Sequence, residues 1–475
     1  MPEDGGAVAG LTAAVAAVWA DVLRVAEVGD DDEFSALGGD VRTASRVVAL
    51  TNQWLGANLT LRQLFLHRTP ARLAAALHAE GVRVREVGPS AAGAPAGEWE
   101  RFWDSTYRFS ARRRDGFNTA GWYDRRALGA MPEAHMREWV GTTAERLRSL
   151  RPRHVLEIGC GLGLIMMPML EHVERYEGTD ISTEAVRGLR EHLAGHPHGA
   201  RAAVRRGDAL EVAAGTSGEH DLVLLNSVVQ YFPDLAHLEE VVAGLTRGDG
   251  VVFLGDLLHR GLHRPMHVAQ VVEQFPDSAP VRRVRTATEV SLAGDAPLLV
   301  GPDELRRLVA RAAPGWDCDL LVRRGTHRTE MNRFRFDAVL SRGRHPNSDA
   351  PVRPLSWPGN PGGVAEVLAT LVRPDDERVV IRSVPDARTH ACVRLTRALD
   401  EAPEDLPLAE LRDGLAPAAA VDPETLWETG HRLGHGVAVA PAREPGLVDV
   451  ALLRGGDDWA AAALLRAPGP GGEDC

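Results

Sequence analysis

The sequence predicts an α/β protein in three parts: a small helical bundle, then a doubly wound parallel sheet with an antiparallel hairpin at one edge, then a shorter α/β segment. Three observations carry this expectation. Apolar residues recur at helical spacing between Leu11 and Leu77. From about residue 154 onward, short apolar runs alternate with helical stretches, and such alternation means parallel strands joined by crossover helices. Between the first apolar run and its helix stands a glycine-rich turn, His154-Val-Leu-Glu-Ile-Gly-Cys-Gly-Leu-Gly163.

Taken in order, Leu11 to Leu23 forms the first helix and Asp40 caps a second that runs to about Trp54. A short helix near Leu61 to Phe65 and a fourth from Pro70 to Leu77 complete the bundle. Residues 88 to 97 are too rich in Gly, Ala and Pro to build a core, so a domain boundary falls there. Strands follow near 154–158, 176–179, 203–206, 221–226 and 251–255. The runs Asp319 to Arg323 and Phe334 to Leu340 are joined by a loop too short for a crossover and should pair antiparallel at one sheet edge. Beyond Pro351 come a strand at Val379 to Val384, helices near 387–399, 406–414 and 423–433, and strands at 437–441 and 447–453. The last nine residues have the composition of a disordered tail. The expected domains are 1–84, a linker 85–98, 99–345 and 346–475.

The formal net charge of −12 over 475 residues argues against nucleic acid or an anionic membrane as partner, since both need a basic face. All 54 basic residues are Arg, which excludes a GK[ST] phosphate loop and any lysine nucleophile. Cys160, Cys318, Cys392 and Cys475 stand far apart, so neither a metal centre nor a disulfide framework is expected. The N-terminus carries acids where a signal peptide would carry bases, and no apolar run approaches the roughly 18 residues of a membrane span. A cytoplasmic location is the expectation.

The chemistry is read from the strand ends, because ligands in open α/β sheets bind beyond the carboxyl edge. Gly159, Gly161 and Gly163 let the backbone turn sharply while a ligand approaches. Asp180, 21 residues after Gly159, ends the next strand, where a carboxylate accepts both hydroxyls of a ribose. Glu157 lies inside the first strand and would oppose a pyrophosphate, yet it suits a cofactor carrying an ammonium and a sulfonium. Together with the G-x-G-x-G spacing, this favours S-adenosylmethionine (SAM) over a nicotinamide dinucleotide and a Rossmann-like methyltransferase over an oxidoreductase. Asp208 is placed to accept from the adenine amino group. Asn226, Gln230 and Tyr231, at the end of the fourth strand, are the candidate catalytic residues, with Asn226 also near the cofactor. For methylation at carbon the candidate bases are His135, His259 and His327.

Two resemblances extend this reading. The bundle resembles a carrier-protein domain of nonribosomal peptide synthetases through Val18-Trp19, Val22-Leu23, Asp31-Asp32-Glu33-Phe34, Leu37-Gly38-Gly39-Asp40 and Leu64 to Leu77. In that family the residue after G-G-D is a serine that takes phosphopantetheine; here it is Val41, so no phosphopantetheine is expected. Ser45, one turn on, is a poor substitute, and a docking role is the expectation.

Residues from about 99 to 455 resemble the methyltransferase domains embedded in such synthetases. Beyond the glycine loop, this rests on Phe117 to Trp122, Met136-Arg137-Glu138-Trp139, Leu225 to Pro233, Phe253-Leu254-Gly255-Asp256, Arg324-Gly325, Arg333 to Asp337, Ser383 to Arg388 and Asp422 to Trp427. The resemblance implies methylation, most often at nitrogen, of an aminoacyl or peptidyl group held on a carrier protein. With no adenylation or condensation region in the sequence, action in trans on another protein's carrier is expected. The alternatives are an O- or C-methyltransferase, or a non-catalytic docking protein that binds SAM.

Overall fold

The computed structural model describes residues 3–25, 27–55, 57, 59–80, 82, 98–108, 117–124, 129–216, 218–295, 297–343, 351–359, 364–373, 376–415 and 419–466. The predicted linker, apart from Glu98, and the predicted tail lie outside these residues.

Seven strands form the central sheet: β1 (His154–Ile158), β2 (Arg175–Asp180), β3 (Ala202–Arg206), β4 (Leu222–Asn226), β5 (Val251–Leu258), β6 (Asp317–Val322) and β7 (Arg335–Ser341). Their order is β3-β2-β1-β4-β5-β7-β6, with β1 to β5 parallel and β7 antiparallel to both neighbours. Every residue of β4 and β5 is buried, as expected of strands covered by helices on both faces. The alternating pattern therefore predicts the fold, and the short loop between the last two strands predicts their hairpin. Strands are added outward on one side of β1 up to β3 and on its other side from β4 onward, and this switch in strand order opens a crevice at the carboxyl ends of β1 and β4.

The bundle consists of α1 (Glu3–Leu23), α2 (Val41–Leu55), α3 (Leu61–Leu66) and α4 (Pro70–Ala79). Its core is built on Trp19, Leu64, Leu73 and Phe34, with Trp19 and Phe34 edge to face at 4.9 Å. The capping role of Asp40 is as expected: its Oδ1 accepts from Thr43 N at 2.7 Å, and Thr43 Oγ1 accepts from Asp40 N at 2.7 Å. The helix α1 begins earlier than its apolar stripe, at Glu3 rather than Leu11.

The helix α5 (Glu98–Arg108) joins bundle and sheet. Trp99 and Trp103 pack against the bundle core. On the other side, Asp104 Oδ1 accepts from Ser182 Oγ at 2.6 Å and from Glu184 N at 3.1 Å, at the start of the helix Thr183–Leu193. Gly38 of the bundle lies against a later helix, where a Cβ on it would stand 2.7 Å from Val290 Cγ1.

The C-terminal segment forms a second sheet from β8 (Arg353–Ser356), β9 (Arg378–Pro385), β10 (His435–Pro441) and β11 (Leu447–Arg454), in the order β8-β9-β11-β10. Val380, Ala438, Ala440, Ala451 and Trp459 belong to the main core, so this segment is packed into the central domain. Buried Arg388 donates to the carbonyls of Arg323 at 2.6 Å and Gly325 at 2.9 Å, and Arg466 forms a two-pronged pair with Asp319 at 2.6 Å. The sequence pattern does not signal β8 or the helix Asp458–Ala463, both short elements. Among the described residues no helix is long and apolar enough to cross a membrane.

Candidate active site

A cavity of about 690 Å³ opens above the carboxyl ends of β1 and β4. It is lined by Glu157, Gly159, Gly161, Asp180, Asp208, Asn226, Gln230 and Tyr231, eight of the nine residues expected at the site. The ninth, Gly163, lies one turn beyond and serves packing: it has φ +80°, and a Cβ on it would stand 2.7 Å from Leu189 Cδ1. Gly159, at φ +77°, is the tightest position of the loop. A Cβ there would reach 2.3 Å from Val228 Cγ2, so no larger residue fits.

Glu157 is buried on β1 and accepts a hydrogen bond from the Tyr176 hydroxyl at 2.9 Å. Burial pushes its carboxyl up to about 8; the bond from Tyr176 opposes this and the charge of Asp180 adds to it. Asp180 closes the glycine loop, with Oδ2 accepting from Gly161 N and Oδ1 from Ser182 N, both at 2.8 Å. Burial raises its carboxyl despite these two bonds, and nearby Asp104 raises it further. Asp208 is exposed and caps the helix Ala209–Gly215, its Oδ1 accepting from Glu211 N at 2.9 Å.

At the end of β4 the backbone is strained. Ser227 has φ +60° and, beside it on β5, Asp256 has φ +64°. Ser227 Oγ donates to Asp256 Oδ2 at 2.6 Å, and Arg335 donates to the same oxygen at 2.6 Å. Arg323 stands 3.4 Å from Asp256 Oδ1 and 2.6 Å from Asp337, which leaves this buried cluster of two acids and two arginines paired. The cluster holds the turn that presents Asn226 and Gln230. Asn226 Oδ1 and Gln230 Oε1 are buried and have no donor among the described residues.

The opposite wall is aromatic and was not foreseen. Trp99, Trp103 and Tyr107 of α5 line the cavity, as does Ser45 of α2. Trp99 meets Tyr231 at 4.6 Å, Trp103 meets it at 5.6 Å, and Trp103 stacks on Tyr107 at 5.3 Å. Burial, with the charge of Asp180, raises the Tyr107 hydroxyl well above its ordinary value. The spacing of four between these rings was the available signal, since it puts all three on one helix face. Glu330, Arg335 and Asp295 also line the cavity, from segments too distant in sequence to be connected with it.

None of His135, His259 and His327 lines the cavity. His259 is buried and caps a helix, Nδ1 accepting from Gly261 N at 3.0 Å, and burial lowers it to about 4. The His135 and His327 rings meet at 4.5 Å, tilted by 42°, and His327 Nδ1 lies 3.0 Å from Glu138.

Two buried carboxyls, an exposed acid and two buried amide oxygens suit a ligand carrying cationic, hydroxyl and amino groups, and the SAM molecule has all three. The glycine loop supplies the close backbone approach.

Residues 13–77 match the family described as a phosphopantetheine attachment site, and residues 155–248 match a methyltransferase domain. Chondramide synthase cmdD of Chondromyces crocatus is 30% identical over 329 residues, 66% of this chain and 8% of that protein. The probable non-canonical nonribosomal peptide synthetase CymA of Salinispora arenicola (strain CNS-205) is 32% identical over 301 residues, 62% of this chain and 4% of its own length. The chain thus spans less than a tenth of these relatives. Among solved structures, SAM-bound magnesium protoporphyrin IX methyltransferase (ChlM) of Synechocystis PCC 6803 aligns with 54% of this chain and 100% of its own, at 13% identity and a TM-score of 0.34. The chain therefore joins a segment that matches carrier-type domains to a methyltransferase domain, and it is similar to parts of nonribosomal peptide synthetases.

Proposed function

We propose that residues 99–345 methylate the nitrogen of an aminoacyl or peptidyl group held by a pantetheine thioester, on a carrier other than residues 1–84. The observation that carries the reading is the grouping of Asn226, Gln230 and Tyr231 on the cavity wall at the end of β4, beside the glycine loop. Two amides and a phenol beside a cofactor cavity can orient an amine without a strong base. In trans action is supported by Val41, which stands where the carrier family has its serine and has no hydroxyl to modify.

In this reading Glu157 faces the cofactor's ammonium, Asp180 the ribose hydroxyls and Asp208 the adenine amino group. The glycine loop through Gly159 and Gly161 admits the sugar and sulfonium. SAM supplies an activated methyl on a good leaving group, so this chain's own residues have to align and desolvate the amine. An α-amine titrates near 7.7–8.0, so roughly a tenth is already neutral at pH 7. Asn226, Gln230 and the Tyr231 hydroxyl then point its lone pair, while Trp99 and Trp103 exclude water.

The test is the intact mass of aminoacyl-loaded carrier proteins after incubation with this chain and SAM. Gain of one methyl on the carrier, with the free amino acid reacting far more slowly, is expected. Equal or faster methylation of the free amino acid overturns the proposed substrate.

A further inference from the structure

Behind the cavity wall, reaching it only at Asp295, lies a cluster that the methyl-transfer chemistry does not use. Two helices bring it together: α6 (Arg260–Val272) carries His263 and His267, four residues apart on one face, and α7 (Val281–Gly294) ends at Asp295. His263 Nε2 lies 3.1 Å from Asp295 Oδ2, His267 Nε2 lies 3.2 Å from the same oxygen, and the two nitrogens are 3.2 Å apart. All three residues are buried, at 8%, 1% and 4% exposure.

Three ligand atoms at the corners of a nearly equilateral triangle form one face of a tetrahedron. An ion with bonds of about 2.0–2.1 Å holds its tetrahedral ligands about 3.3 Å apart, close to the separations found here. We propose that His263, His267 and Asp295 bind one divalent ion of the zinc class, with the fourth position turned toward the cavity that Asp295 lines.

Chemistry narrows the ion. Two imidazoles and one carboxylate suit Zn²⁺ or Co²⁺ and exclude Mg²⁺ and Ca²⁺, which want an all-oxygen shell. The outer shell is also in place. Ser291 Oγ lies 2.7 Å from His267 Nδ1, where it accepts from Nδ1–H and leaves the Nε2 lone pair for the ion. Three protein ligands with one position open is the arrangement of reactive rather than purely structural zinc sites. Leu298 N donates to Gln230 O at 3.0 Å, so the segment that follows Asp295 is tied to the turn carrying Gln230. Cysteine spacing is silent on this site because it uses no thiolate.

The experiment titrates Co²⁺ into the full chain after dialysis against a chelator. Saturation at one equivalent, with the visible band of four-coordinate Co²⁺ and no thiolate charge-transfer band, is expected. Zn²⁺ should then bleach the band and raise the Tm. His263→Gln and His267→Gln should each weaken Co²⁺ binding at least tenfold. A folded wild-type chain that takes up no saturable Co²⁺ overturns the proposal and leaves a hydrogen-bonded His-Asp-His cluster. So does a thiolate band, or unchanged uptake by both folded variants. Because these readouts need neither SAM nor substrate, they stand apart from the assigned methyl transfer.

Discussion

Inside the core of the central sheet, the Tyr176 hydroxyl donates to Glu157 Oε2 at 2.9 Å, across neighbouring strands β1 and β2. Burial nevertheless dominates and holds the Glu157 carboxyl up to about 8. If the ionised form faces the SAM ammonium, affinity for SAM should tighten as pH rises from 6 and level off above 8, by up to about tenfold per pH unit. Binding at pH 7 should release a proton, so calorimetric enthalpies should vary with buffer ionisation heat. In Glu157→Gln both effects should vanish and affinity should be low throughout.

The same carboxyl sets a sign for stability. Its folded value lies above its unfolded value, so between about pH 4.5 and 8 the native state binds a proton that the unfolded state has lost. Its contribution is fully present below about 4.5 and is lost as pH rises through about 8. Without ligand, the Tm of the wild type relative to Glu157→Gln should fall from pH 5 to pH 9. A rising difference would show that the carboxyl is not held protonated.

Asp180 ties the glycine loop to the next helix start through Gly161 N and Ser182 N. Asp180→Ala removes the proposed ribose acceptor and this tie together, and a lost bond to a charged group costs about 1.5–3 kcal/mol. SAM affinity should fall roughly 10- to 150-fold by titration calorimetry. Asp180→Asn keeps one acceptor oxygen and should lose less.

Asn226→Ala and Gln230→Ala should lower the rate of methyl transfer, measured by carrier mass at saturating SAM. Each removes a hydrogen bond of about 0.5–1.5 kcal/mol, so each should slow turnover roughly 2- to 12-fold. The Gln230 variant should keep its SAM affinity within a factor of about two, since its role is assigned to the amine.

Asp256 is fully buried between Ser227, Arg335 and Arg323. Asp256→Ala strands buried guanidinium charge and should destabilise the chain by about 3–5 kcal/mol in chemical denaturation. Ser227→Ala loses one hydrogen bond and should cost about 1 kcal/mol.

The central sheet was legible because its strands are short, apolar and regularly spaced, and the glycine loop with Glu157 and Asp180 is local in sequence. The aromatic wall was missed although its period was visible: Trp99, Trp103 and Tyr107 follow a stretch of linker composition, and nothing in residues 98–108 says which body their helix covers. The buried cluster of Asp256, Arg323, Arg335 and Asp337 is assembled from segments up to 81 residues apart. Side-chain pairing over that distance leaves no periodic trace. His263 and His267 gain meaning only with Asp295, 28 residues beyond His267, and no local pattern joins the three.

Ser45 contributes to the cavity wall, and Gly38 rests on Val290, so the bundle already occupies one rim of the methyl-transfer crevice. If the proposed substrate is tethered to a carrier, it must be admitted past a resident of carrier shape. That resident is covalently attached, so it competes with any visitor at an effective concentration in the millimolar range. For the proposed reaction, entry is therefore a matter of displacement or of a separate approach along the remaining rim.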